Sequence, residues 1–183
     1  RSNNERGVPF AILNPCVLTH TLAHGLGVTV GPITAKCCLR SRTHPTPRAL
    51  LMKYPDGVRA VVKTLAEDPA QGIANHVHLE TQPAPDPSQL GPQDVLIAIR
   101  SACVSWVDAL MTSGQYQHQA NLPYTPGLEY SGEVLWTGSE VCAESIPIGA
   151  QVYVDGFQVG PRTSGPYQKY GGFATYGVAP AAA

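Results

Sequence analysis

Short apolar and β-branched runs alternate with glycine- and proline-rich turns from residue 58 onward. The clearest run is Asp94-Val-Leu-Ile-Ala-Ile-Arg100, whose length and composition are typical of a buried strand. The same criteria predict six strands, over residues 58–63, 76–80, 94–100, 132–136, 151–154 and 172–178. A short helical turn is predicted between Trp106 and Met111, while the prolines of residues 83–87 exclude regular strand pairing there. The pattern indicates a mainly β fold, either a barrel or a sandwich.

Residues 1–51 lack this alternation and differ in charge. Their single acidic residue, Glu5, stands against six basic ones, and hydroxyl residues are frequent. Such a composition is typical of an organelle transit peptide. It is equally typical of a translated non-coding stretch upstream of a true start at Met52. We therefore predict a disordered or spurious extension over residues 1–51, with a targeting segment as the alternative, and a folded domain over residues 52–183.

Composition narrows the classes of partner and the compartment. The net charge is −1, and no apolar run approaches the ~20 residues that span a bilayer, so neither nucleic acid nor a membrane is expected as a partner. Five cysteines without a Cys-x-x-Cys pair predict neither a disulfide framework nor a closed zinc site. Reduced thiols favour a cytoplasmic location, with an organelle as the alternative if residues 1–51 are a transit peptide.

Five motifs follow one another in a characteristic order. They are Ala102-Cys-Val-Ser-Trp-Val-Asp108, Ser113-Gly-Gln-Tyr116, Leu122-Pro-Tyr-Thr-Pro-Gly-Leu-Glu-Tyr-Ser-Gly-Glu-Val134, Ile148-Gly-Ala-Gln-Val-Tyr153 and Tyr170-Gly-Gly-Phe-Ala-Thr-Tyr176. In this order they resemble the GroES-like domain of the medium-chain dehydrogenase/reductase superfamily, over residues 58 to about 180. The resemblance implies a GroES-like β-barrel with short helices. No Gly-x-Gly-x-x-Gly follows a predicted strand, so the chain is expected to end before the family's Rossmann cofactor domain.

Two positions of the resemblance concern zinc. In the zinc alcohol dehydrogenases a cysteine follows the long strand and a histidine precedes the glutamate of a Gly-His-Glu motif; here these positions hold Ser105 and Leu128. Neither side chain suits zinc, and Cys103, two residues from the ligand position, is expected to be a buried thiol. With no metal expected, the resemblance narrows to the zinc-independent quinone oxidoreductases and enone reductases. It implies NADPH as cofactor and a quinone or an α,β-unsaturated carbonyl compound as the small-molecule substrate.

The resemblance also implies site residues. Ser105, Asp108 and Tyr116 would border the cleft where nicotinamide meets substrate, with Ser105 and Asp108 contacting the cofactor. Ser105 and Tyr116 are the expected catalytic residues, Tyr116 as a hydrogen-bond donor to the carbonyl of the substrate. Trp106, Tyr116 and Leu128 would line the substrate pocket. Core packing is the alternative for Trp106, and a partly buried structural aromatic is the alternative for Tyr116.

The sequence leaves two function classes open. One is the N-terminal, substrate-side domain of an NADPH-dependent quinone or enone oxidoreductase, a homodimer in its full-length form. Without a cofactor domain, the 183-residue chain alone is predicted to be inactive. The other class is a non-enzymatic GroES-like interaction module or an inactive truncated gene product. The sequence that follows Ala183 in the gene would discriminate between them.

Overall fold

A computed structural model describes residues 54–183, so the predictions for residues 1–51, and that of a domain start at Met52, lie outside the described part. This part contains six strands and two helices. In chain order they are β1 (Gly57–Val62), α1 (Pro69–His76), β2 (Val77–Gln82), β3 (Asp94–Ala102), α2 (Trp106–Thr112), β4 (Tyr130–Thr137), β5 (Gln151–Val154) and β6 (Tyr176–Pro180). A single 3-10 turn, Pro87–Gln89, lies in the proline-rich stretch where no strand was expected.

The strands form two antiparallel sheets that share a bridging segment. One sheet has the order β5-β4-β3-β6, and the other pairs β1 with β2. Thr175, just before β6, joins them: its N–H donates to the Val58 carbonyl at 2.8 Å, and its carbonyl accepts from Ile99 N–H at 2.9 Å. Backbone pairing therefore runs from the two-stranded sheet into the four-stranded one. The predicted mainly β fold is confirmed.

The central strand β3 is buried on both faces. Val95 and Ile97 lie in one apolar cluster with residues of β4 and β5, whereas Leu96 packs on the other face with Tyr176 and Val178. Strands covered on both sides carry continuous apolar runs, which is the pattern that Asp94–Arg100 shows. The strength of this strand in the sequence thus reflects its central position in the fold.

The predicted elements differ from the observed ones at α1 and at β6. Residues 76–80 were expected to be a strand, but His76 is the last residue of a helix that the sequence reading missed. That helix begins at a standard N-cap: Asp68 accepts a hydrogen bond from Gln71 N–H at 3.0 Å, and Pro69 occupies the first turn. It is eight residues long, and none of the described helices is long and apolar enough to cross a membrane.

The last strand begins at Tyr176, four residues after its predicted start. The residues before it are used in a different way: Gly172 N–H donates to the Gly127 carbonyl at 2.8 Å, and Phe173 N–H donates to the Pro126 carbonyl at 2.9 Å. These bonds hold the approach to β6 against the loop of residues 125–129. The Gly171-Gly172 pair therefore serves a close contact between two loops rather than a continuous strand.

In addition to the Thr175 backbone bond, a side-chain bond ties the long connection between β5 and β6, residues 155–175, to β3. The Tyr167 hydroxyl donates to the carboxylate of Asp94, and burial together with this bond raises the pKa of Tyr167 from 10.0 to about 12. A tyrosine whose pKa is higher in the folded state stabilises the fold fully below the unfolded pKa. That contribution is lost as the pH rises through the folded pKa.

We therefore expect alkaline destabilisation that Tyr167→Phe reduces. The free energy of unfolding of the wild type should fall between about pH 10 and 12. The variant should lose about 1 kcal/mol at neutral pH, the value of one partly exposed hydrogen bond, and show a shallower fall above pH 10. Urea unfolding at several pH values measures both. A residual fall is expected because burial also raises the pKa of Tyr124 and Tyr130. Equal slopes for wild type and variant would contradict the assignment.

Candidate functional site

The site begins at the corner where β3 gives way to α2. Ser105 is the N-cap of α2, and Asp108 is its third helical residue. The Ser105 N–H and the Ser105 hydroxyl both donate to Asp108 Oδ2, at 2.8 and 2.9 Å. A carboxylate three residues into a helix that bonds back to the N-cap satisfies an otherwise unpaired backbone donor. The segment Ser-Trp-Val-Asp therefore forms a helix start at this point of the chain.

Asp108 also ties this helix to the loop of residues 125–129. Its side chain is 3% exposed, and its second oxygen accepts the Gly127 N–H at 3.0 Å. Gly127 has a φ of +98°, a conformation that favours glycine. The Cys103 N–H donates to the Glu129 carbonyl at 3.1 Å and adds a second tie between the same two segments. One buried carboxylate thus holds the two segments that border the cavity described next.

A cavity of about 160 Å³ lies between these segments. Its lining residues are Cys103, Ser105, Val107, Leu128, Glu129 and Arg162. Ser105 and Leu128 were predicted for the site, and the structure brings them together here. Asp108 and Trp106 are not lining residues: Asp108 is buried and bonded to Ser105, and Trp106 is the exposed residue that follows Ser105 in the chain. Cys103 is exposed, so the expectation of a buried thiol was wrong.

Four exposed apolar residues lie next to lining residues, either in space or in the chain, and we call them the cavity rim. They flank or contact lining residues and are Val104, Trp106, Tyr153 and Phe157. Trp106 is 68% exposed, so the core-packing alternative for this residue was wrong. Large exposed side chains that cluster around a cavity are typical of a surface that binds a partner or a ligand.

Tyr116 takes a different place from the one expected of a pocket residue. It is half-buried and packs against an apolar cluster formed by Val62, Met111, Tyr124 and Leu128. It is not among the lining residues of the cavity. Its link to the site runs through Leu128, which belongs to both the cluster and the cavity wall.

Arg162 supplies the cavity's positive charge, and sequence reasoning missed it. Its Nε–H donates to the Gly156 carbonyl at 3.3 Å, and its guanidinium lies 3.9 Å from the centre of the Phe157 ring. Its Nη2 is buried without a hydrogen-bond partner among the described residues. Glu129 supplies a negative charge to the same cavity, and burial together with this nearby carboxylate raises the pKa of Tyr153. No motif in the sequence points to an arginine in the connection of residues 155–175.

The donor set of the cavity does not fit a catalytic zinc ion. Only Cys103 and Glu129 among the lining residues carry zinc-ligating groups, whereas catalytic zinc sites use three protein ligands. No group of three His, Cys, Asp or Glu side chains suited to a metal occurs within residues 54–183. Zinc independence stays a prediction, and no step is derived through a metal.

A second cavity, of about 350 Å³, shares no lining residue with the first. Its walls are Asn121, Leu122, Pro123, Tyr124, Gly165, Pro166, Gln168 and Lys169. It contains none of the residues predicted for the site. The smaller cavity is therefore the candidate functional site.

Comparison with known proteins agrees with the fold. Residues 91–183, just over half of the chain, match the family model of the alcohol dehydrogenase GroES-like domain. The chain is 46% identical over 55 residues to quinone oxidoreductase-like protein 2 of Mus musculus, a match that covers 30% of this chain and 16% of the mouse protein. It is 33% identical over 85 residues to the quinone oxidoreductase of Lama guanicoe, covering 46% of this chain and 22% of that protein.

Structural comparison extends the match beyond the sequence alignments. The crystal structure of a putative NADPH:quinone reductase from Mesorhizobium loti superposes with a TM-score of 0.52 at 25% identity. The superposition covers 72% of this chain and 37% of that one. The chain thus spans only a minor part of the length of the relatives it matches. By its family model, its relatives and its fold, it belongs to the alcohol dehydrogenase GroES-like domain family, on the quinone oxidoreductase-like side of the medium-chain dehydrogenase/reductase superfamily.

Proposed function

We propose that the chain is the substrate-side domain of an NADPH-dependent, zinc-independent oxidoreductase that transfers a hydride to a quinone or an α,β-unsaturated carbonyl compound. The observation that carries this proposal is the cavity bordered by Ser105 and Leu128, at positions that hold zinc ligands in the metal-dependent members of the superfamily. NADPH, when bound, supplies the hydride. The names of the mouse, llama and Mesorhizobium proteins support a quinone as acceptor and NADPH as donor.

The walls of the cavity suit a flat, weakly polar ring. Val107 and Leu128 provide apolar surface, and the exposed Trp106 stands between the lining residues Ser105 and Val107 in the chain. Aromatic side chains bind flat rings through large contact areas and preferred stacking geometries. The chain's part in this proposal is therefore to bind the acceptor, orient it and exclude water from it.

Ser105 is better suited to accept a hydrogen bond in this site than to donate one. Its hydroxyl proton is directed at Asp108 Oδ2, at 2.9 Å, so Oγ can act toward the cavity only as an acceptor, with the lone pair that the capping box leaves. An amide group, such as the carboxamide of nicotinamide, can donate to such an oxygen. We propose that Ser105 holds the cofactor in this way and that Asp108 acts through Ser105 as a positioning residue.

Tyr116 is retained in the proposal in a more limited role. It shapes the pocket by packing on the cluster that contains Leu128. Direct donation to the carbonyl of the substrate, which the resemblance implies, would require its ring to turn out of that cluster. Trp106 and Leu128 are retained as substrate-pocket residues.

Binding of a quinone can be tested on this chain without any cofactor. The chain has two tryptophans, Trp106 at the cavity rim and Trp136 in β4. We expect menadione to quench Trp106 fluorescence saturably in a Trp136→Phe variant. The matched Trp106→Phe variant, which keeps only Trp136, should show no saturable quenching. Equal saturable quenching in the two variants would place the quinone elsewhere and contradict the proposed site.

Hydride transfer is tested on the complete product of the gene that encodes this chain. We expect menadione-dependent oxidation of NADPH that EDTA leaves unchanged. Loss of activity with EDTA, restored by zinc, would contradict zinc independence. Saturable menadione binding with no NADPH oxidation would favour the non-enzymatic interaction module over the oxidoreductase.

A further inference from the structure

Arg162 is the one lining residue of the cavity that bears a positive charge. It forms no ion pair with any of the described residues. The arginine and lysine side chains that form ion pairs in this part of the structure do so on the surface, with Glu80 and Glu133. No described carboxylate lies within 4.0 Å of the Arg162 guanidinium, and its buried Nη2 has no hydrogen-bond partner among the described residues.

A buried guanidinium N–H without an acceptor destabilises the fold unless a bound ligand accepts its hydrogen bond. A guanidinium keeps its charge throughout the physiological range, and a buried donor without an acceptor loses the hydrogen bonds that water would have made. The Nε–H bond to the Gly156 carbonyl and the Phe157 ring fix the plane of the group. Fixing the plane also fixes the direction of the remaining N–H groups. The geometry is that of a preorganised donor next to a small cavity.

We propose that Arg162 is a further catalytic residue, which binds the acceptor oxygen as negative charge develops on it; this rests on the proposed function. Transfer of a hydride from NADPH would break a C–H bond of the cofactor, leaving NADP⁺, and would form a C–H bond at the β-carbon of the enone with the same two electrons. The π electrons of the enone then shift toward the carbonyl, so that its oxygen carries the negative charge of an enolate. A proton from water, delivered to the α-carbon, completes the reduction. Arg162 keeps its own protons and stabilises the oxyanion by charge and hydrogen bonding.

Glu129 makes the proposal testable in two directions. Its carboxylate lines the same cavity, with Tyr153 beside it and Cys103 on the same wall. A negative charge there opposes the binding of an anion. Removing the charge of Arg162 should therefore weaken anion binding, whereas removing that of Glu129 should strengthen it.

The probe is para-nitrophenolate, an anionic oxygen on a flat ring, and the protein is the 183-residue chain. The yellow colour of the phenolate form reports both binding and ionisation. We expect Arg162→Met to weaken phenolate binding roughly tenfold or more, as the loss of a preorganised oxyanion donor does. The phenolate affinity of Arg162→Lys should lie between those of Arg162→Met and the wild type, because lysine keeps the positive charge but lacks the planar guanidinium edge. Glu129→Gln should tighten binding by a factor of about three, in keeping with a partly exposed charge.

Nitrobenzene, a neutral ring of similar shape, is the control ligand. Its equal binding to wild type and Arg162→Met shows that the cavity survives the substitution. Phenolate binding that is unchanged by Arg162→Met would overturn the inference. Arg162-dependent phenolate binding by this chain, with no menadione reduction by the complete gene product, would refute the proposed function and leave the anion site. Menadione reduction by the complete gene product that is unaffected by Arg162→Met would overturn the catalytic role of Arg162 and leave the proposed function standing.

Discussion

Replacing Gly127 with alanine is expected to lower the free energy of unfolding by about 3 kcal/mol or more. A Cβ at this position would lie 2.7 Å from the backbone nitrogens of both Gly172 and Phe173. Those nitrogens are held by their hydrogen bonds to the Gly127 and Pro126 carbonyls, so they have little freedom to retreat. A left-handed φ of +98° adds about 1–2 kcal/mol for any residue with a Cβ. The added methyl group therefore destabilises the fold in two independent ways, by crowding against the neighbouring backbone and by backbone strain.

Gly149→Ala is the matched control for this experiment. Gly149 also has a left-handed φ, +86°, but a Cβ there would meet nothing within 4 Å. It should lose only the conformational part, about 1–2 kcal/mol. Urea unfolding followed by circular dichroism compares the two variants, and their difference isolates the crowding between the two loops. Equal losses would mean that the loop of residues 125–129 can move away, and the cavity wall that includes Leu128 would then be less fixed than the structure indicates.

The parts of the fold that the sequence predicted well are those whose periodicity reflects burial. β5 has the predicted bounds, and β3 lies where its continuous apolar run predicted it, because a central strand covered on both faces needs apolar residues throughout. Helix α1 was missed because it contains little apolar periodicity and has Gly72 in its interior. That glycine is needed for packing: a Cβ there would lie 2.4 Å from Oγ1 of Thr112 in α2. Such a requirement is set by the tertiary structure and is not visible in local sequence.

In the candidate site, too, some residues were predictable from the sequence and others depend on the tertiary structure. Ser105 and Leu128 were found because motif order places them at positions whose chemistry the superfamily uses. Arg162 was not found, because it belongs to a connection without motif or periodicity and reaches the cavity only through the folding of residues 155–175. For Asp108, by contrast, the sequence predicted a direct contact with the cofactor. The structure buries it among backbone donors, and direct contact with the cofactor stays a prediction.

Asp108→Ala should accordingly be a large stability defect, of about 3 kcal/mol. The substitution leaves two backbone donors, Ser105 N–H and Gly127 N–H, without their acceptor, and each unsatisfied buried donor costs about 1–3 kcal/mol. Asp108→Asn should lose less, because one side-chain oxygen remains. The comparison variant is Asp68→Ala, which removes the exposed N-cap of α1 and should cost only about 1 kcal/mol.

The same pair of variants separates a structural carboxylate from one that binds cofactor. If Asp108 acts through the fold, Asp108→Ala should lower the urea midpoint well below that of Asp68→Ala, as followed by circular dichroism. It should also weaken saturable quenching of Trp106 by menadione, because the Ser105 corner and the Gly127 loop lose their common anchor. A midpoint no lower than that of Asp68→Ala would show that the buried bonds contribute little. The carboxylate would then be available for direct contact with the nicotinamide cofactor, as the family resemblance implies.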